Sequence, residues 1–147
     1  MKSIFSPDAK QELETRINNL TDNNSALWGK MNVGQMVWHC QGPLDIMLQN
    51  KTFGMTSSWI AKLFFKKSFY NDKPWRKNLP TAKFLKTTET KHLKEEKAKL
   101  LALINQVHSQ RNKTEWAPHP AFGYFTNEQW GQLQYKHLDH HLRQFGA

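Results

Sequence analysis

Apolar positions recur at intervals of three and four residues in four stretches of the chain, and none alternates with the period of two that a half-buried strand needs. The first stretch follows Ser6-Pro7, an N-cap residue followed by proline at the first helical position. It carries Leu13, Ile17 and Leu20 on one stripe and predicts a helix to about residue 20. The polar run Thr21-Asp22-Asn23-Asn24-Ser25 reads as a loop. A second helix is predicted from Asn32, which stands three residues before Gln35 in capping-box spacing, with Met36, Cys40, Leu44 and Met47 on its apolar face. Pro43 falls inside it. Its missing N–H would have bonded the carbonyl of His39, so a kink is expected beside that residue.

A third helix is predicted from about Thr88 to Gln110, on Leu93, Leu100, Leu103 or Ile104, and Val107. Residues 112–125 form a loop rich in proline, glycine and aromatic residues. Thr126 and Gln129 then repeat the capping-box spacing, and the last helix runs to about Phe145, stopped by Gly146. Between the second and third helices the pattern is weaker. Ser57 to Phe69 reads as a short helix with Trp59, Ile60, Leu63 and Phe64 inward and Lys62 and Lys66 outward. Tyr70 to Thr88, broken by Pro74 and Pro80, reads as an ordered, irregular connection. A stretch of that length without regular structure either closes over a site or is a plain crossover. The predicted fold is all-α: a four-helix bundle with a long irregular crossover between helices 2 and 3, whose core can host a metal site from facing helices.

Length changes this picture little, since 147 residues suit one domain spanning 1–147. No apolar run approaches the ~20 residues of a transmembrane helix, and the first residues lack the apolar stretch of a secretory signal. A lone cysteine, Cys40, fits a reducing compartment, so a cytoplasmic location is expected. Cys40 lies on the apolar face and reads as a buried, inert thiol. Charge matters more. The net charge is +9, concentrated in the middle third on Lys62, Lys66, Lys67, Lys73, Arg76, Lys77, Lys83 and Lys86. No zinc-finger, homeodomain or RNA-recognition signature accompanies these residues, which disfavours nucleic acid as the partner and leaves a lysine-rich surface or an acidic ligand. The basic, aromatic segment from Trp59 to Phe69 packs on the bundle or lies at a membrane surface or a homodimer interface.

The candidate chemistry lies in histidine. His137 and His141 stand four apart, one turn along the same helix face. At about 100° per residue, and with Leu133 as zero, they fall near 40° and 80°, inside the arc set by Trp130, Leu138 and Phe145, while His140 falls near 340° at the rim. Two imidazoles within an apolar stripe need partners, which a metal ion or a hydrogen-bond network can supply. His39, on the flank of the second helix, can reach a neighbouring helix or stand half exposed. The pair alone is a weak signal, because seven histidines in 147 residues give roughly 0.3 such pairs by chance. The His-Glu-x-x-His motif of zinc proteases is absent. Three histidines from two helices would leave coordination positions open for water or substrate.

The closing segment His137-Leu138-Asp139-His140-His141-Leu142-Arg143-Gln144-Phe145, together with Met36-Val37-Trp38-His39 and its lead-in from Trp28, resembles the DinB/YfiT-like superfamily of metal-binding four-helix bundles. Residues 119–146 look closer still to an uncharacterised DinB-like subfamily. The resemblance implies that His39, His137 and His141 hold one divalent ion, Zn²⁺ or Ni²⁺. It implies a metal-dependent enzyme that activates a thiol or water, of thiol S-transferase or hydrolase class, acting on a small molecule that can include a low-molecular-weight thiol. Fold alone does not fix activity, so a non-catalytic metal-binding or stress-response bundle is the alternative, and a basic nucleic-acid-binding module a third. His119 is read as a loop histidine with no special role, or as a residue that supports the ligands or contacts substrate, and His140 as a rim histidine or a substrate-side acid or base. His92 and His108 lack a chelating partner and are assigned no role.

Overall fold

The computed structural model describes residues 1–51, 54 and 65–147. Within them the chain forms four α-helices: α1 (Pro7–Asn19), α2 (Val33–Leu48), α3 (Leu93–Ser109) and α4 (Asn127–Gln144). No strand occurs among the described residues; His119 and Gly123 make an isolated bridge. The fold is the four-helix all-α arrangement expected from periodicity.

Local chemistry sets the helix ends. The Asn32 side chain accepts from the Gln35 N–H, and the Gln35 side chain accepts from the Asn32 N–H, so both capping-box bonds are made. Thr126 and Gln129 do the same for α4. Ser6 occupies the N-cap of α1 but its side chain makes no cap bond; Pro7 at the first helical position, whose φ is already helical, marks the start. The third helix begins at Leu93, later than the expected Thr88. The residues before it are held against α2 instead: the Gln35 side chain donates to the Glu89 carbonyl at 3.2 Å, which ties that bend of the backbone to the start of α2.

α1 and α2 each pack against both α3 and α4, so they stand at opposite corners of the bundle. Leu13 and Ile17 of α1, Met36 and Leu44 of α2, Leu100 and Ile104 of α3, and Trp130 and Leu138 of α4 fill the centre. Their burial, at roughly 1.5–3 kcal/mol per large side chain, is the main stabilising term. α2 continues through Pro43. The bundle therefore sets α2 beside α4, the two helices that carry the candidate ligands.

Among its described residues, the crossover between α2 and α3 carries two 3₁₀ turns, Lys66–Phe69 and Lys83–Leu85. Most of the short helix expected from Ser57 to Phe69, with Trp59 and its neighbours, lies outside the described residues. The described end of the crossover is fastened to α4. Lys136 is buried, and its ammonium donates to the carbonyls of Ser68 and Asn71, each at 2.7 Å, and to Asn71 Oδ1 at 2.8 Å. The Trp75 indole N–H donates to the same Ser68 carbonyl at 2.9 Å. This places the Trp75 ring beside the buried histidines of α4. Among the described residues, no helix is long and apolar enough to cross a membrane.

Candidate metal centre

The bundle brings His39 of α2 together with His137 and His141 of α4. One nitrogen from each lies within 4.8 Å of the others, and the three residues are only 4, 7 and 8% exposed. His39 and His137 face each other through their Nε2 atoms at 3.1 Å. Ring centroids are separated by 5.1 Å for His39 and His137, 4.6 Å for His39 and His141, and 4.7 Å for His137 and His141. His39, read from sequence as a flank residue able either to reach a neighbouring helix or to stand half exposed, makes the reach.

Two of the rings are oriented from outside. His39 Nδ1 lies 2.9 Å from the Leu85 carbonyl, an acceptor, so Nδ1 carries the proton and Nε2 keeps its lone pair. His141 Nδ1 lies 2.8 Å from Gln144 Oε1. Gln144 Nε2 donates to the Trp28 carbonyl at 2.6 Å, which fixes the amide so that its oxygen faces His141 and assigns the Nδ1 proton there too. The chain can pass this close to Gln144 because residue 29 is glycine at φ +85°, where a Cβ would lie 2.5 Å from Gln144 Nε2. A similar approach serves His39: a Cβ on Gly42 would lie 2.2 Å from Leu85 Cδ2, so glycine at that turn of α2 lets Leu85 sit against the helix and present its carbonyl.

His137 is the least anchored of the three. Its Nδ1 is buried with no hydrogen-bond partner, and the Trp75 ring packs edge-on against it at 6.0 Å. Burial is the first cause holding all three imidazoles neutral. The His39 pKa is lowered by desolvation, opposed in part by the Leu85 carbonyl. That of His137 is held well below its ordinary value by desolvation and then by the neighbouring rings, and that of His141 is pushed down to about 3 by the same causes in spite of Gln144.

The residues fit a divalent ion. Lone pairs of His39 and His141 converge with His137 in a buried space, and a single proton on His137 Nε2 can satisfy only one of them. Nitrogens bound to one tetrahedral ion at ~2.0–2.1 Å stand about 3.3 Å apart, close to the His39–His137 separation. Neutral imidazoles with their second nitrogens held by a backbone carbonyl and an amide are the form in which protein ligands are presented to zinc and nickel.

The remaining sequence candidates separate from the cluster. His140 is half-buried at the rim, 5.6 Å from the Trp75 ring, 5.7 Å from that of Trp28 and 5.2 Å from that of His141. His119 packs against Phe122, Phe125 and Trp130, and its Nδ1 accepts the N–H groups of Ala121 and Phe122 at 3.1 and 3.3 Å. Its role is to close its own loop, and burial pushes its pKa down to about 4. His108 Nδ1 donates to the Ile4 carbonyl at 2.9 Å, and His92 caps α3 without a side-chain bond. Cys40 is fully buried against Met36, where desolvation raises its pKa and keeps the thiol protonated. Sequence reasoning did not single out Leu85, Trp75 or Lys136. The first acts through its backbone, the second lies in a stretch without period, and a lysine on a mostly apolar helix face reads as a surface residue until its partners are seen.

A family model described as "Protein of unknown function (DUF1569)" matches residues 5–147. No curated protein and no solved structure matches the chain.

Proposed function

The chain belongs to the DUF1569 family, and from its buried histidine cage we propose that it is a metal-dependent enzyme of the DinB/YfiT-like type, acting on a small-molecule substrate as a thiol S-transferase or hydrolase. The observation that carries this reading is the convergence of three desolvated, neutral imidazoles from helices ~100 residues apart in sequence, two of them pre-oriented through Nδ1. His39, His137 and His141 would hold the ion, zinc or nickel. Bound there, a divalent ion supplies positive charge that lowers the pKa of a coordinated thiol or water. Leu85 and Gln144 hold the ligand rings in register. Trp75 keeps bulk water from His137, and His140 stands at the rim where a substrate would pass.

Metal analysis of protein purified without a nickel column tests the proposal. Wild type should retain close to one equivalent of a divalent ion, and the His39→Ala/His137→Ala/His141→Ala variant close to none. Equal metal content in the two would remove it. A full cage with no turnover of thiol-transfer or hydrolytic substrates would instead mark a metal-binding bundle without catalysis.

A further inference from the structure

We infer that the ligand this centre takes is a small organic anion with a flat apolar body, drawn in past the crossover between α2 and α3; the inference rests on the metal reading above. Its first support is the charge balance of the cage. The three donors are neutral, and among the described residues no carboxylate belongs to the cluster. Asp139, on the same helix, is already held by Arg16 at 2.8 Å and Arg143 at 2.9 Å. A divalent ion at the cage would therefore keep its full charge in a desolvated setting, where uncompensated charge is costly. A ligand that brings negative charge relieves that cost, and a neutral one does not.

The second support is where the cations lie. Residues 65–86 carry seven, Lys66, Lys67, Lys73, Arg76, Lys77, Lys83 and Lys86, against one acid, Asp72. Asp72 is paired with the N-terminal ammonium at 3.2 Å. Lys66 reaches the Tyr124 carbonyl, whereas the other six are exposed and have no carboxylate partner among the described residues. This same segment supplies two contacts to the histidines from outside the helices, the Leu85 carbonyl on His39 and the Trp75 ring on His137. Arg76 and Lys77 directly follow Trp75, and Lys86 directly follows Leu85. The charge is thus tied by the backbone to the contacts that flank the cage, where a positive field raises the local concentration of anions.

The third support is the wall. His140 stands between Trp28 and Trp75, and the Lys77 ammonium lies 4.7 Å over the Trp28 ring. Aromatic rings in that position suit a flat body whose negative end reaches the ion, and the ammonium beside them adds to the field that attracts it.

Protein loaded with cobalt(II) provides the test, because its visible bands report a change of ligand at the metal. At ~10 mM ionic strength, where the screening length is ~30 Å, benzoate should shift the bands. It should half-saturate at least about tenfold below benzamide, its neutral isostere, and about threefold below acetate, which lacks the ring. Lys77→Glu should weaken benzoate about threefold or more, while Lys94→Glu, an exposed charge on α3, should leave it unchanged. Benzoate binding no tighter than benzamide or acetate, no band shift at all, or equal effects of the two charge reversals would overturn the inference and leave the cage intact. Failure to take up cobalt would instead remove the metal reading, and this inference with it.

Discussion

Gln144→Leu probes how the cage is held together. The Gln144 side chain is 3% exposed, and it joins the His141 Nδ1–H to the Trp28 carbonyl through bonds of 2.8 and 2.6 Å. Leucine keeps most of the volume and removes both bonds. Two buried polar groups are left without partners, each at roughly 1–3 kcal/mol. Part of that is recovered if water reaches the Trp28 carbonyl, so a net loss of about 2 kcal/mol is expected, or about 6 °C in Tm for a chain of this size. The effect on the metal is separate. Without its acceptor, His141 is free to carry its proton on Nε2, the nitrogen that faces His39 and His137. Loss of such an orienting partner lowers metal affinity about 10–100-fold. Gln144→Glu separates the two roles, because a carboxylate still accepts from His141 but cannot donate to Trp28. It should keep the metal affinity while losing stability. Competition against a chromophoric chelator measures the first quantity, and thermal unfolding of the metal-free protein measures the second. An unchanged metal affinity in Gln144→Leu would refute the argument that this amide sets the His141 tautomer.

Three further outcomes follow from the same geometry. Lys136→Met removes three hydrogen bonds to Ser68 and Asn71, and should cost about 2 kcal/mol and speed limited proteolysis within residues 65–75; an unchanged cleavage rate would mean that the crossover is held by other contacts. Gly42→Val places branched bulk where even a Cβ lies 2.2 Å from Leu85 Cδ2, and should destabilise by about 1–3 kcal/mol and weaken metal binding by loosening the carbonyl on His39, which isothermal titration would detect. His119, held neutral down to about 4 by burial, takes up a proton on unfolding between its ordinary value of 6.5 and that point. Its contribution to stability is whole above pH 6.5 and is lost as pH falls, so denaturant titrations of wild type should lose up to about 1.4 kcal/mol per pH unit relative to His119→Gln over that window. A difference that stays flat with pH would refute it.

The parts of this molecule that could be read in advance are those written in short-range periodicity. Capping boxes at Asn32 and Thr126 and apolar stripes such as Leu13 and Ile17 depend on residues within one or two turns, so a single stretch of chain contains the whole signal. The same holds for His137 and His141, which share a face because of the helical repeat. That His39 would join them was carried by resemblance, since its angle on α2 left it at the flank; only the packing of α2 beside α4 turns it inward. The start of α3 was misplaced because Glu89 bonds to Gln35, a contact 54 residues away that no local window contains. Leu85 and Lys136 were missed for the same reason. One serves the site through a main-chain oxygen that every residue possesses, and the other is buried only because three oxygen acceptors from the crossover surround its ammonium.

The 98 positions that separate His39 from His137 also bear on the order of events when the chain folds. An unfolded chain can offer an ion the local His137–His141 pair as soon as α4 forms, but the third donor arrives only after α2 has docked and the intervening loop has closed. If the cage holds an ion as proposed, its capture in the final geometry would be a clock for completion of the tertiary structure. In a stopped-flow refolding experiment, cobalt absorbance should rise with the slowest phase rather than with the early gain of helical signal.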